Sequence, residues 1–194
     1  MEKSHPEKAV ACLLAGEFED SEFRVPYDRL REAGYRVDVV GTHRGDQLKG
    51  HKGKESVKVD KAIGSVKVDG YEGLLIPGGH SPDQLRADER FVSFVKDFDK
   101  TGRPIAAVCH GPQLLMAAGL VKGRTLTAWT TIQSDLRQMG AKVKDQEVVV
   151  DDNWITSRKP DDLEAFSAKF VEELHEEEER HPSAGLGADA QPGV

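Results

Sequence analysis

One short segment of the sequence carries the residue types of nucleophilic catalysis. An apolar run, Ile105–Val108, ends at Cys109, and His110, Gly111 and Pro112 follow directly. A buried strand that delivers a cysteine to a sharp turn, with a helix starting at once, has the layout of a nucleophile elbow. The free N–H groups and positive dipole end of such a helix favour the thiolate, which is the reactive form of cysteine. The segment therefore predicts a reactive thiol at Cys109.

The alternative interpretation of Cys109 is an ordinary core cysteine. A lone cysteine at the end of an apolar strand is usually a small buried hydrophobe. Cys12, which lies inside VACLLA with no polar neighbour, is predicted to be one. Cys109 differs because a histidine follows it, Gly111 permits tight backbone geometry and Pro112 suits the first turn of a helix. These differences favour a functional role for Cys109.

A catalytic thiol also needs a proton shuttle, an orienting acid and donors for an oxyanion. His110 is the candidate shuttle, with a solvent-facing turn histidine as the alternative. Asp83, in GGHSPDQL, is a candidate to orient it. The backbone amides of Gly78, Gly79 and His110 are the candidate oxyanion donors. The alternative for the glycine pair is an ordinary turn between a strand and a helix.

Four acidic residues follow the first apolar run of the chain: Glu17, Glu19, Asp20 and Glu22. A carboxyl group at that strand end could reach Cys109 and, when protonated, hydrogen-bond the sulfur and set its pKa. The alternative is that these acids only supply favourable negative charge to a helix N-terminus. That alternative explains most of the cluster but not all of it.

Composition restricts the classes of protein that this chain can belong to. Its 194 residues, 38% hydrophobic and 31% charged, suit one globular domain. Two cysteines in unlike contexts imply no disulfide framework, so we expect a reducing cytoplasm. The start, MEKSHPEKAV, lacks the apolar core of a signal peptide, and no apolar run is long enough to span a membrane.

Charge and motifs also argue against several kinds of partner. A net charge of −7 disfavours a nucleic-acid backbone as the main partner, although residues 49–67 are locally basic. The histidines are scattered without ligand spacing, and no nucleotide-binding glycine motif occurs. We therefore predict neither a metal nor a cofactor.

Strand-like and helix-like patterns alternate along the chain, which indicates an α/β fold with a mostly parallel sheet between helices. We predict an extension at residues 1–8, one domain at 9–175 and a disordered tail at 176–194. An excursion or hairpin is expected at 45–60, and Asp161 and Asp162 are expected to begin the last helix. Strands are predicted at 10–15, 35–40, 71–76, 104–108, 124–129, 147–150 and 154–156, and helices at 21–33, 82–100, 111–119, 131–139 and 161–173.

Three of the predicted strands end in polar or glycine-rich residues, at 16–19, 77–80 and 109–111. Parallel α/β sheets bind ligands beyond the carboxyl ends of their strands. The coincidence at three strand ends is a stronger indication of a site than any one motif.

At these residues the chain resembles the PfpI-type intracellular protease family of the ThiJ/PfpI superfamily. The resemblance covers about residues 10–174, and AVCHGPQLL together with LIPGGHSPD is its most specific part. It implies a flavodoxin-like three-layer sandwich. The matching segments are GEFEDSEF, RLREAGYRVDVV, LLIPGGHSPDQLR, AAVCHGPQLL and DQEVVVDDNWITSRKPDDLEAF.

The resemblance also implies roles for individual residues. Cys109 would be the nucleophile and His110 its partner. The family's third member is an acid after the PGG turn, contributed by a neighbouring subunit. It falls on Asp83, where some members carry the longer glutamate. The same resemblance implies a homo-oligomer, dimeric or hexameric, with active sites at subunit interfaces.

In the wider superfamily a further acid, from the first turn between strand and helix, contacts the cysteine. Counting back from Pro26 favours Glu22 for this position, whereas the EFED motif offers Glu19. Both residues are candidates for this position.

Members of the family have been described as ATP-independent proteases, as glyoxalase-like enzymes and as deglycases acting on methylglyoxal or glyoxal adducts. We expect a cytoplasmic cysteine hydrolase of stress defence, deglycase-like on adducted proteins or nucleotides. Nucleic acid enters only as a glycated substrate, and no membrane partner is expected. One alternative is an intracellular cysteine peptidase. A second is a non-enzymatic redox sensor or holdase chaperone with an exposed thiol of low pKa.

Overall fold

Strands and helices alternate along the chain, as the apolar periodicity predicts. The computed structural model describes residues 8–182. The strands are β1 Ala9–Leu13, β2 Arg36–Gly41, β3 Gln47–Lys49, β4 Ser56–Lys58, β5 Lys61–Ala62, β6 Gly73–Ile76, β7 Ile105–Val108, β8 Thr125–Leu126, β9 Lys142–Val143, β10 Val149–Asp151 and β11 Trp154–Ser157. The helices are α1 Asp20–Glu32, α2 Ser81–Leu85, α3 Glu89–Asp99, α4 Pro112–Ala117, α5 Thr130–Gln138 and α6 Leu163–Arg180.

The central sheet of the described chain has the strand order β10–β11–β7–β6–β1–β2–β5. Every neighbouring pair in it is parallel except β10 and β11, which form the predicted antiparallel pair. Because β7, β6 and β1 lie side by side and run the same way, their carboxyl ends meet at one edge. The next strand after β1 in this sheet, β2, lies on one side of β1, whereas β6 lies on its other side. Such a reversal of strand order opens a crevice at the carboxyl ends of the strands, where ligands bind.

Apolar side chains cover both faces of this sheet. Phe23 of α1 and Phe166 and Phe170 of α6 pack on one face. Phe91 of α3 and Leu114 of α4 pack on the other. All five are at most 1% exposed. Burial of apolar area on both faces confirms the predicted three-layer α/β fold and fixes the sheet edge that bears the site.

The predicted helix at 82–100 is wrong as a single element, because the chain forms two helices there. The side chain of Asp88 accepts a hydrogen bond from the backbone N–H of Arg90 at 3.0 Å and so caps a new helix, α3. The short helix α2 that precedes it holds Asp83 close to the turn after β6.

The predicted strand at 124–129 is also wrong beyond its first residues. Only Thr125 and Leu126 form a strand, which pairs with β9 outside the central sheet. The N–H of Thr127 then bonds the Thr156 hydroxyl at 3.0 Å, and the N–H of Trp129 bonds the carbonyl of Cys109 at 2.9 Å. These bonds draw the segment onto the end of β7 and away from a sheet ladder.

The last helix differs from the prediction at both ends. The Asp162 carboxylate bonds the backbone N–H and the guanidinium of Arg158 instead of capping the helix. The helix then continues to Arg180, past the predicted domain end at 175, and Arg180 pairs with Glu176 and Glu177 one turn earlier. The predicted disorder is therefore wrong for residues 176–180, while residues 1–7 and 183–194 lie outside the described residues.

The predicted excursion at 45–60 is an antiparallel hairpin of β3 and β4. Its turn lies beside the start of α1, where the N–H of His51 bonds the carbonyl of Phe18 at 2.7 Å. The hairpin therefore lies beside the edge of the sheet where β1 and β6 end. None of the helices within residues 8–182 is long and apolar enough to cross a membrane.

Candidate active site

Cys109 occupies a strained turn at the end of β7. Its φ angle is +61°, in the left-handed region that side-chain-bearing residues rarely adopt. Its N–H bonds the carbonyl of Ser157 at 3.0 Å, and the N–H of Gly111 closes the turn on Val108 at 2.8 Å. A side chain at Gly111 would meet the backbone of Ile76 and Val108, so the turn requires glycine there. This geometry is that of the predicted elbow.

Hydrogen-bond donors for the sulfur come from two turns. The backbone N–H groups of His110 and Gly79 point at Cys109 and oppose the rise of its pKa. The amide of Gly78 is not available for an oxyanion, because it donates to Glu22 Oε1 at 3.0 Å. The sequence-based expectation that all three amides are free is therefore wrong for Gly78.

Glu22 is the acid that the structure places against Cys109. Its side chain is fully buried, and its carboxyl interacts with the thiol. Oε1 accepts the Gly78 N–H, while Oε2 is buried with no hydrogen-bond partner among residues 8–182. Burial, reinforced by the negative charge of Glu19, raises the pKa of Glu22 to about 8. The carboxyl therefore holds a proton at neutral pH.

Burial raises the pKa of the Cys109 thiol, and ionised Glu22 raises it further. The helix that follows, α4, has only six residues, so its dipole is small. The turn and this helix alone therefore do not stabilise the thiolate as the sequence led us to expect. Protonated Glu22 changes this balance, because a neutral carboxyl does not repel the thiolate and can donate to it. Cys109 and Glu22 thus titrate as one coupled pair.

Glu19, the other candidate acid, does not contact the sulfur in the same way. It precedes α1, accepts a hydrogen bond from the Ser21 hydroxyl at 3.1 Å and forms an ion pair with Lys52 at 2.9 Å. The spacing of the acids places Glu22 almost one helical turn after Glu19, on the inner side of α1. Glu19 therefore affects the site through its negative charge, which raises the pKa of Glu22.

His110 is adjacent to the thiol in space as well as in sequence. Its Nδ1 lies 3.4 Å from Cys109 Sγ. Burial lowers the pKa of His110, nearby His80 lowers it further, and Asp83 acts in the opposite direction. A neutral imidazole at this position can accept a proton from the thiol or from a reacting water.

A cleft of about 450 Å³ opens beside His110. Its wall includes Glu17, His80, Asp83 and Gln113, together with Gly79 of the turn after β6. Asp83 thus lines the same cleft as His110 within one chain, where its carboxylate is paired with Arg86 at 2.5 Å.

Two residues beside the site were not singled out by sequence reasoning. The centroid of the Trp129 ring lies 6.2 Å from that of the His110 ring. Lys52 reaches the site from a hairpin 33 residues after Glu19. Lysine-rich composition pointed to this hairpin, but no local spacing could show that it folds back onto α1. Among the described residues, no group of three or more His, Cys, Asp or Glu side chains is arranged to hold a metal ion.

Known proteins share both the sequence and the fold. The chain is 51% identical over 165 residues to the Escherichia coli K12 protein named "Protein/nucleic acid deglycase 2", covering 84% of this chain and 96% of that protein. It is 47% identical over 164 residues, with the same coverage, to "Putative cysteine protease YraA" of Bacillus subtilis 168.

A solved two-domain protein from Anabaena variabilis, with DJ-1/ThiJ/PfpI-like and ferritin-like domains, superimposes with a TM-score of 0.85 at 36% identity. The match covers 87% of this chain and 48% of that longer one. A ThiJ/PfpI domain protein from Brachyspira murdochii shares the fold at 21% identity, with a TM-score of 0.82. The model of the DJ-1/PfpI family matches residues 8–173, and this chain belongs to that family.

Proposed function

We propose that this protein is a cysteine-dependent hydrolase of reactive carbonyl adducts, acting in the cytoplasm in stress defence. The observation that carries the proposal is the coupled pair of Cys109 and buried Glu22 at the elbow, with neutral His110 at 3.4 Å from the sulfur. A thiol, a proton acceptor and backbone donors are what attack on a carbonyl-derived carbon needs. The relative named as a protein/nucleic acid deglycase supports adducted proteins or nucleotides as substrates.

The chemistry can be written for the adduct of an amine with methylglyoxal. Cys109 Sγ forms a bond to the aminocarbinol carbon while the carbon–nitrogen bond breaks, and His110 passes the thiol proton to the leaving amine. The proton on that carbon then moves to the neighbouring ketone carbon by way of an enediol, while the hydroxyl proton moves to the ketone oxygen, which leaves a lactoyl thioester on Cys109. Water cleaves the thioester to lactate and regenerates the thiol. The sum is adduct plus water giving amine plus lactate, with no external oxidant or reductant.

The amides of Gly79 and His110 are the proposed donors to oxygen as charge develops on it. We further propose that the protein is a homodimer or homohexamer in which Asp83 of a neighbouring subunit orients His110. The exposed position of Asp83 at the mouth of the cleft supports this, because its side chain is 61% exposed in the single chain. No cofactor enters the proposed reaction.

A peptidase is the second candidate, favoured by the relative named as a cysteine protease. It would use the same thiol, histidine and amides on a peptide carbonyl. The redox-sensor alternative has less support, because the expectation of an exposed thiol does not fit a cysteine that is 7% exposed. Readily oxidised cysteines are accessible and have a low thiol pKa.

The proposal is tested with purified methylglyoxal adducts of N-acetylarginine and N-acetyllysine, and with unfolded casein. Aminocarbinols dissociate spontaneously, so an enzyme that only consumes free methylglyoxal cannot release amine faster than the uncatalysed dissociation. We expect amine release to exceed that limit as enzyme is added, with casein left intact. Release capped at the spontaneous rate, with free methylglyoxal consumed, would assign a glyoxalase-like activity instead, and casein cleavage that depends on Cys109 would assign a peptidase.

A further inference from the structure

The turn between β3 and β4 is fastened to the start of α1 by one buried carboxylate. Asp20 accepts hydrogen bonds from the backbone N–H groups of Lys52, Lys54 and Glu55 at 2.8, 2.8 and 2.7 Å. A side chain at Gly50 would collide with this carboxylate, so the turn closes on Asp20 only with glycine there. The turn is therefore held in a defined position relative to α1.

The position of the turn brings Lys52 into contact with Glu19. Lys52 Nζ lies 2.9 Å from Glu19 Oε1, and the Glu19 side chain is only 13% exposed. Lys54 leaves the same turn but forms no ion pair within residues 8–182, and its side chain is exposed. The backbone N–H groups of both lysines thus bond to Asp20, and the two lysines differ in their contact with Glu19. We call these backbone bonds to Asp20 the clamp.

Glu19 and Lys52 act in opposite directions on the coupled pair of Cys109 and Glu22. The charged groups that act on Glu22 are Glu19 before α1, Lys52 from the hairpin and the thiol of Cys109, with the Gly78 N–H from the turn after β6. Glu19 opposes the loss of a proton from Glu22, and Lys52 favours it. Glu22 is fully buried and Glu19 is only 13% exposed, so solvent screens the charge of Glu19 on Glu22 weakly. The Lys52 side chain is 53% exposed, so its charge is screened more strongly and acts mainly through its contact with Glu19.

We propose that Lys52 is a positioning residue of the active site, which neutralises Glu19 and thereby allows Cys109 and Glu22 to release their first proton near neutral pH. The inference rests on the proposed catalytic role of Cys109, but it concerns the ionisation of the thiol and not the substrate. Without Lys52, the uncompensated charge of Glu19 would disfavour any negative charge on the pair. Without Glu19, the uncompensated charge of Lys52 would favour it.

The test is the pH dependence of Cys109 alkylation by iodoacetamide, followed by mass spectrometry at low ionic strength. Cys12 is fully buried, and Cys109→Ser serves as the blank. We expect Lys52→Met to move the alkylation midpoint upward by about half to one pH unit, a three- to tenfold loss of rate below the midpoint. Glu19→Gln should move it downward, and the double variant should return close to the wild-type value.

The controls separate electrostatics from folding. Lys54→Met keeps the clamp and removes a charge from the same turn. Its alkylation midpoint should therefore shift by only a small fraction of the shift that Lys52→Met produces. Lys52→Arg should restore the wild-type profile. The proposal is overturned if Lys52→Met shifts no further than Lys54→Met, or if Glu19→Gln shifts in the same direction as Lys52→Met. Since alkylation needs no substrate turnover, failure of the adduct assay would leave this test intact.

Discussion

At the scale of single residues, the site depends on where one proton resides. Burial disfavours negative charge on Cys109 and on Glu22, and their contact makes two charges together worse than one. His110 can accept the proton that this pair releases, because burial lowers its pKa and keeps the imidazole neutral. The reactivity of the thiol therefore belongs to the group of three residues and not to Cys109 alone.

The proton on Glu22 should also affect how the free energy of unfolding depends on pH. The pKa of Glu22 is about 8 in the folded protein against an ordinary 4.5, so between these values the folded state keeps a proton that the unfolded chain releases. The free energy of unfolding should then fall as pH rises through this window, by at most about 1.4 kcal/mol per pH unit. Glu22→Gln cannot titrate, and we expect it to lose this part of the fall in urea unfolding between pH 5 and pH 8.

His110 titrates in both proteins, so the difference between the two slopes reports Glu22 together with its coupling to Cys109. Parallel slopes for the wild type and Glu22→Gln would contradict the protonated carboxyl.

The sequence was sufficient to find Cys109, because an apolar strand, a histidine and a glycine–proline pair are local signals. It could not choose between Glu19 and Glu22. That choice depends on which side of α1 faces the turn after β6, and this is a property of packing. The availability of the Gly78 amide was misjudged for the same reason, since its acceptor lies 56 residues away.

At the scale of secondary-structure elements, strand order assembles the site. The turns after β1, β6 and β7 are far apart in sequence and become neighbours because these strands are adjacent and parallel. The alternation of strands and helices predicted this convergence. It did not predict the break between α2 and α3, which a capping Asp88 decides, or the departure of residues 127–129 from a strand.

The turn after β6 should tolerate no side chain at Gly78. A Cβ there would meet Glu22 Oε1 and would lie 3.0 Å from both the Cys109 Cβ and the His110 nitrogen. We expect Gly78→Ala to lower turnover and Cys109 alkylation at least tenfold and to destabilise the fold by about 1–3 kcal/mol, since overpacking displaces neighbours. Assays of both rates and urea unfolding measure this.

Gly64→Ala is the matched control, because a Cβ at that glycine meets no atom within 4 Å. Wild-type alkylation in Gly78→Ala would mean that Glu22 and Cys109 do not depend on this close approach.

At the scale of the whole molecule, the question is whether one chain completes the site. Asp83 is exposed and paired with Arg86 in the single chain, and its charge also acts on His110 of the same chain. Sequence could supply only the resemblance for this point, because an oligomeric contact depends on surface shape. The family-derived acid is also shorter here than in members that carry glutamate.

Subunit mixing tests this proposal. Cys109→Ala and Asp83→Asn should each be nearly inactive alone, since each lacks one part of the site. Random reassociation of the two as dimers should restore about a quarter of wild-type turnover, because half of the dimers are mixed and each has one complete site. Light scattering would establish the assembly size. A mixture no more active than its components would show that Asp83 does not act across an interface.

The most direct measurement of the central claim compares the two cysteines of the chain. Amine release from the purified methylglyoxal adduct of N-acetylarginine is followed for the wild type, Cys109→Ala and Cys12→Ala, with circular dichroism to verify folding. Cys12 is buried in β1, so its variant should retain most of the wild-type rate. Cys109→Ala should fall at least a thousandfold, to the spontaneous rate of the adduct, as expected on loss of a covalent nucleophile. A folded Cys109→Ala protein that releases amine at the wild-type rate would contradict the role assigned to this thiol.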